Sequence, residues 1–146
     1  MSSFYSTFPI KCINTSIGGL TVIENILPNE AGDFKRIYML HNFLGDTERG
    51  NHAHKRLTQR IVCVSGSCKL FLHDGVESDT FELRATDEIG ILINPGVWRT
   101  IDSSTTDCIL IVFASHSYDA NDYIHSFDEF MEWKRKTAPK GQNLNK

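Results

Sequence analysis

Arg49-Gly50-Asn51-His52-Ala53-His54-Lys55-Arg56-Leu57-Thr58-Gln59 decides how this chain is read. Its two histidines stand two apart. Side chains on an extended segment alternate between faces, so both imidazoles project from one side of a strand. Gly66 lies beyond Gln59, where a turn between strands is expected. Further along, Asn94-Pro95-Gly96 reads as a second turn, which delivers Val97-Trp98-Arg99. A pair of imidazoles on one face, with a glutamine and an arginine on neighbouring segments, is a concentration of proton-handling and anion-binding groups.

Around that stretch the pattern is short apolar runs punctuated by turns. Lys11–Ile13 and Leu20–Ile26 are candidate strands on either side of Gly18-Gly19, and Pro28 to Asp33 is a loop. Lys35–Leu40 alternates, with Arg36, Tyr38 and Leu40 on one face. Arg60–Val64 and Cys68–His73 form an expected hairpin about Ser65-Gly66, and Asp74-Gly75 is a strong hairpin-turn signal. Thr80–Arg84 alternates with Phe81 and Leu83 on its apolar face. Ile89–Ile93 and Cys108–Ala114 are continuous apolar runs, too short for helices and rich in β-branched residues, and so read as central strands. Eight to ten short strands at regular spacing predict an all-β barrel or sandwich.

The C-terminal part differs. Ser126 is placed to cap a helix from Phe127 to about Lys136, with Asp128 and Glu129 in its first turn and Lys134-Arg135-Lys136 in its last, which suits the helix dipole. Phe127, Phe130, Met131 and the stem of Lys134 form the stripe that would pack on the barrel. Residues 1–138 are read as one domain and 139–146 as a disordered tail.

The composition, 40% hydrophobic and 23% charged over 146 residues, is that of an ordinary globular protein. A net charge of −3 argues against a general nucleic-acid binder. No apolar run approaches a membrane span or a signal peptide, so the chain is read as cytoplasmic with no membrane partner. Cys12, Cys63, Cys68 and Cys108 contain no C-x-x-C pair. Cys63 and Cys68 would face each other across the expected hairpin, and a reducing compartment makes them two buried thiols.

His52-x-His54, Gln59 and Gly66, followed by Pro95-x-Val97-Trp98-Arg99, resemble the two motifs of the cupin barrel. In that family the first motif supplies two histidines and a glutamate to a metal, and the second supplies another histidine. The resemblance puts Gln59 at the glutamate position and Arg99 at the last ligand position. Half the ligand set is replaced, once by a cation that would repel a metal, so no metal and no cofactor are expected. The histidine pair is left free for proton chemistry.

A narrower resemblance rests on Arg36-Ile37-Tyr38, Arg49-Gly50-Asn51-His52-Ala53-His54-Lys55, Gln59, Ser65-Gly66-Ser67, Trp98-Arg99, Ala114-Ser115, Tyr118-Asp119 and Asp122-Tyr123-Ile124. Together, over about residues 8–130, these resemble the sugar 3,4-ketoisomerases, small metal-free cupins acting on dTDP-4-keto-6-deoxyglucose. The resemblance implies a cupin-type antiparallel β-barrel (jelly roll) with a short C-terminal helix. It implies transfer of a carbonyl from C4 to C3 of a dTDP-linked 6-deoxy-4-ketohexose, in the biosynthesis of a 3-acetamido sugar for surface polysaccharide. It also implies a homodimer that exchanges an N-terminal strand, for which Tyr5–Ile13 is the candidate here. His125 departs from the family's pattern, which favours arginine after the isoleucine.

The residues suit that chemistry. A 3,4-keto shift needs a base for the C3 proton, an acid for C4 of the enediol, and a proton route between the two oxygens. Imidazole, titrating near about 6.5, both accepts and returns a proton at neutrality. His52 is the expected carbon acid/base and His54 its assistant, although the sequence leaves open which of the two is the base. Tyr38, on a strand expected to line the same cavity, suits the relay between oxygens. Arg99 would stabilise an enediolate or hold pyrophosphate, either of which matches its fixed fork of donors. Arg49, Lys55, Gln59 and Arg60 are further substrate-binding candidates, although parity turns Arg60 outward if Gln59 faces inward. Trp98 is either a stacking platform for base or sugar or a core aromatic. Arg36 reads as a solvated charge at a strand end, and His41, His73, His116 and His125 read as surface or loop residues.

Rival readings are a metal-dependent cupin using His52 and His54, a non-catalytic nucleotide-sugar-binding cupin, and a 3,5-epimerase-like cupin. The stereochemistry at C4 of the product is not legible from these residues.

Overall fold

The structure is a computed structural model that describes residues 4–24, 34–44, 48–103 and 105–139. The loop expected over 28–33 and the tail beyond residue 139 lie outside the described residues. The chain forms strands β1 (Tyr5–Pro9), β2 (Lys11–Thr15), β3 (Gly18–Val22), β4 (Arg36–Leu40), β5 (Arg49–His54), β6 (Gln59–Ser65), β7 (Ser67–His73) and β8 (Ser78–Arg84). β9 (Ile89–Ile93), β10 (Trp98–Ser103), β11 (Ile109–Ala114) and β12 (Tyr123–Ile124) follow, then a helix α1 (Phe127–Thr137).

One sheet runs in the order β1-β9-β6-β11-β4 and a second in the order β12-β5-β10-β7-β8, while β2 and β3 form a separate hairpin. Every pairing is antiparallel. This is the antiparallel architecture with one C-terminal helix that the resemblance implies, and it bears out the all-β reading of the strand spacing. The two sheets bury their inner faces against each other through Ile61, Leu70, Leu72, Leu83, Ile91 and Leu110. Each such side chain contributes about 1.5–3 kcal/mol by leaving water.

The expected hairpin about Ser65-Gly66 is not formed. β6 pairs with β9 and β11, and β7 pairs with β8 and β10, so the chain crosses from one sheet to the other at Gly66. Gly66 has φ +64, and a side chain there would collide with Thr105, Asp107 and the Cys108 backbone. The glycine therefore makes an inter-sheet corner, which a local turn signal cannot be told apart from. Cys63 and Cys68 are both buried free thiols. Burial pushes the Cys63 thiol up to about 12 and raises that of Cys68 further. The other hairpin signal holds. Asp74 accepts the backbone N–H groups of Val76 and Glu77 at 2.8 Å and closes the β7–β8 turn.

Two features position the site. The register between β5 and β10 shifts at Arg99/Thr100, where Arg99 pairs with His52 and Thr100 with Gly50. Asn51 is therefore an extra residue, and Gly50 and Asn51 take φ +88 and +50. A Cβ on Gly50 would also sit 2.8 Å from the Arg99 carbonyl oxygen. Such a bulge bends the strand and re-aims the next side chain, here His52. On the outer face of the same sheet, α1 packs Phe130 against Ala53, Trp98 and Ile124. The helix begins at the expected cap, with Ser126 Oγ accepting the Glu129 N–H at 3.4 Å.

Candidate active site

A cavity of ≈ 200 Å³ opens between the sheets. Arg36, Tyr38, Arg49, His52, Gln59, Arg99 and Tyr123 provide its polar wall, and Leu40, Ile61, Ile101 and Val112 line the rest. The strand period puts these residues together. Arg36, Tyr38 and Leu40 share the inner face of β4, while His52 and Arg99 are cross-strand partners on β5 and β10.

Tyr38 Oη accepts the Gln59 amide at 2.7 Å, and Gln59 Oε1 accepts Arg99 Nη1 at 2.8 Å. Arg99 is 1% exposed, and among the described residues its Nε and Nη2 have no hydrogen-bond partner. A buried guanidinium with two unused donors beside a cavity is costly unless an anion or developing negative charge occupies that cavity. Burial lowers its pKa to about 10, which still leaves it charged at neutral pH.

The histidines sit on the same face, as their spacing predicts. His52 Nδ1 lies 2.9 Å from the Gly50 carbonyl oxygen, and His52 Nε2 lies 3.1 Å from His54 Nε2. His54 is nearly fully buried behind His52, with Nδ1 2.9 Å from Asp122 Oδ2. Burial, reinforced by the Arg99 charge, lowers the pKa of His52 to about 4 and also lowers that of His54. His52 is thus held neutral at pH 7, the form a carbon base requires. Burial raises the pKa of the Tyr38 phenol, so it is a proton-bearing hydroxyl there.

The sequence-predicted residues divide. Tyr38, Arg49, His52, Gln59 and Arg99 line the cavity, and His54 supports His52 from behind. Lys55 is exposed and donates to the Asn121 carbonyl at 3.0 Å. Arg60 is buried on the opposite face of β6 from Gln59, its guanidinium 5.8 Å from the Phe34 ring. Trp98 is 6% exposed beneath α1, its ring against Phe127 and Phe130. None of these last three is a lining residue. Arg36 is not the solvated charge expected of it: it reaches the cavity wall with its guanidinium 4.5 Å from the Tyr38 ring and 5.5 Å from that of Tyr118.

Sequence reasoning gave no role to Asp122 or Tyr123. Asp122 is 4% exposed, ends the 3-10 turn before β12, and accepts the Arg56 backbone N–H at 2.8 Å on its other oxygen. Tyr123 packs its ring 4.4 Å from that of His54 and 5.3 Å from the exposed ring of His125. Each lies almost seventy residues from its histidine, so no local spacing could have announced the contact.

An antiparallel double-sheet barrel with a neutral imidazole, a phenol and a guanidinium with two unused donors around one cavity defines a small-molecule site whose groups suit acid–base chemistry. The family described as FdtA, WxcM-like, C-terminal, matches residues 5–135. The chain belongs to that family. It is 37% identical over 128 residues to a TDP-4-oxo-6-deoxy-alpha-D-glucose-3,4-oxoisomerase of Aneurinibacillus thermoaerophilus, covering 86% of this chain and 89% of the relative. Its fold is similar to the crystal structure of the sugar 3,4-ketoisomerase QdtA of Thermoanaerobacterium thermosaccharolyticum in complex with TDP. There the TM-score is 0.82 at 34% identity, over 93% of this chain and 98% of that one. A 3,4-ketoisomerase of Helicobacter canadensis is similar at TM-score 0.79 and 33% identity, over 90% and 97% of the two chains.

Proposed function

We propose that the protein is a nucleotide-sugar 3,4-ketoisomerase that converts dTDP-4-keto-6-deoxyglucose to a dTDP-3-keto-6-deoxyhexose. The observation that carries this reading is the shared cavity of His52, Tyr38 and Arg99, with two Arg99 donors unused among the described residues. In this reading His52 removes the C3 proton, which the adjacent ketone has acidified. Arg99 stabilises the oxyanion that forms, because preorganised donors in a dry site act most strongly where charge develops. Tyr38 moves a proton between the two sugar oxygens, and His52 returns its proton at C4. In this reading Arg49 and Arg36, which line the cavity wall, meet the phosphates. The shift is redox-neutral overall and calls for no cofactor.

A metal-bound variant of this chemistry fits the donor set poorly. Arg99 lies in the cavity as a cation, and among the described residues no three His, Cys, Asp or Glu side chains are grouped to hold an ion. The deciding experiment is incubation with dTDP-4-keto-6-deoxyglucose in heavy water, followed by NMR of the sugar ring. The expected outcome is a 3-keto product carrying solvent deuterium on the ring. Binding without exchange at C3 would make the protein a carrier and would sink the proposal.

The same reading makes the protein a cytoplasmic homodimer with an exchanged N-terminal strand. Buried free thiols at Cys63, Cys68 and Cys108 suit a reducing compartment, and among the described residues no helix is long and apolar enough to cross a membrane. In support of exchange, β1 is an edge strand joined to the barrel by one five-residue ladder. Among the described residues the β2–β3 hairpin beyond it pairs only with itself, and it exposes Ile17 and Leu20. A monomer in light scattering at micromolar concentration would count against it.

A further inference from the structure

The partners of His52 and His54 leave their facing nitrogens one proton short. His52 Nδ1 is 2.9 Å from a backbone carbonyl oxygen, which only accepts, so this nitrogen carries hydrogen. His54 Nδ1 is 2.9 Å from Asp122 Oδ2. With both rings neutral and Asp122 ionised, both Nε2 atoms would be bare acceptors, yet they lie 3.1 Å apart in a buried site. Two lone pairs opposed at that distance repel, whereas one proton between them makes a hydrogen bond. That proton can be drawn on His54 as an imidazolium facing the Asp122 carboxylate. Equally, Asp122 can be protonated and donate to His54 Nδ1, with His54 Nε2–H donating to His52. Both drawings contain the same protons and the same net charge of zero.

The geometry assigns Asp122, His54 and His52 one shared proton, held as a buried relay that ends at His52 on the cavity wall, with Asp122 as its positioning residue. The groups around it fix the count. Asp122 Oδ1 accepts the Arg56 backbone N–H at 2.8 Å, with Arg56 Nε at 3.8 Å, which leaves Oδ2 for His54. Arg99, His125, Tyr38 and Tyr123 face the pair from β10, the segment after β12, β4 and β12. Arg99 and burial oppose any net positive charge, so the three groups accept one proton and resist a second.

The presence of this proton does not depend on the isomerase reading, but its role rests on it. With sugar in the cavity the shared proton withdraws to His54, where Asp122 balances it, and His52 Nε2 is freed. The C3–H bond then breaks, its electron pair becoming the C3–C4 double bond as the C4 carbonyl π pair moves onto O4, and an Nε2–H bond forms on His52. Two N–H groups now face each other in a site that holds one comfortably. His52 is thereby a strong acid: once the proton on O3 has passed to O4 through Tyr38, its Nε2–H bond breaks as the C4–H bond forms and the C3 carbonyl closes.

The test is NMR of the full chain with 15N-labelled histidine at pH 7. The expected spectrum shows a proton on His52 Nδ1 and one far-downfield proton correlated to both Nε2 atoms, with His54 Nδ1 protonated or accepting from Asp122 according to which side of that bond the third proton favours. Asp122→Asn should abolish that resonance and lower kcat on the order of 10²-fold, with KM within a few-fold. Asp122→Glu should recover part of both. A wild-type spectrum in which both Nε2 atoms are bare acceptors would overturn the relay, and it decides alone if Asp122→Asn fails to fold. So would an Asp122→Asn protein with the downfield proton and kcat unchanged. A spectrum with the shared proton, from an enzyme that does not turn over the ketosugar, would support the relay while removing the isomerase reading.

Discussion

The two faces of the β5–β10 pair are built from the same ladder and differ in almost every physical respect. On the outer face Ala53 and Trp98 are cross-strand partners and pack with Ile124 under Phe130 of α1. One residue along each strand, His52 and Arg99 are partners on the inner face, where polar side chains meet and two guanidinium donors stay unused. The outer face spends its residues on exclusion of water and adds stability. The inner face carries a desolvated cation and two imidazoles whose pKa burial lowers, arrangements that lower stability and make chemistry possible. A strand period of two keeps them apart, so a substitution on one face should act on stability and on the other on turnover.

The largest expected effect is on the inner face. His52→Asn should lower kcat by about 10²–10⁴-fold, the range of a positioned acid–base group, while nucleotide-sugar affinity stays within a few-fold. Deuterium exchange at C3 continuing at the wild-type rate would shift the base to His54. On the outer face, Phe130→Ala should cost about 3–5 kcal/mol in urea unfolding, because Phe130 is 0% exposed and a cavity is left behind. Its kcat per folded molecule should be unchanged. A Phe130→Ala enzyme that is stable but slow would break the division between faces.

Smaller effects sharpen it. Tyr38→Phe should slow turnover about 10-fold or less, since water can partly replace a relay between oxygens; a loss as large as that of His52→Asn would make the phenol the principal acid. The depressed pKa of His52 has a thermodynamic consequence. Between about pH 6.5 and about 4 the unfolded chain takes up a proton on this histidine that the folded chain refuses, so stability falls as the pH falls through that window. The melting temperature should therefore drop from pH 7 to pH 4.5, and less steeply in His52→Asn. An equal slope in the two proteins would show that His52 is not the group responsible.

What could be read from the sequence divides along the same line. Alternation is local, so the shared face of His52 and His54 and the inner face of Arg36, Tyr38 and Leu40 were visible in the spacing. So were the cap at Ser126 and the Asp74-Gly75 turn, each of which is satisfied within a few residues. The corner at Gly66 was misread as a hairpin because both structures need a positive φ, and only strand pairing tells them apart. The bulge at Gly50-Asn51 was hidden because it exists only relative to Arg99. Asp122 and Tyr123 reach the histidines through β12, whose two residues pair with His54 and Ala53. A two-residue strand has no periodicity to detect.

The smallest effect is expected where the sequence left two roles open. Trp98 could stack on substrate or sit in the core, and its neighbours choose the core: Ala53, Ile124 and Phe130, with Phe127 edge-on at 5.4 Å. Its backbone is one residue from Arg99, but its side chain leaves the opposite face of β10, away from the cavity. Trp98→Phe keeps an aromatic ring in that cluster and removes part of its volume. The expected cost is about 1 kcal/mol of stability, in the range of a tolerated core replacement. KM for the nucleotide sugar and kcat should stay within about two-fold. A tenfold rise in KM with no loss of stability would mean that the indole reaches the ligand, around the sheet edge or from a partner subunit, and the partition between the two faces would fail at the point where they are closest in sequence.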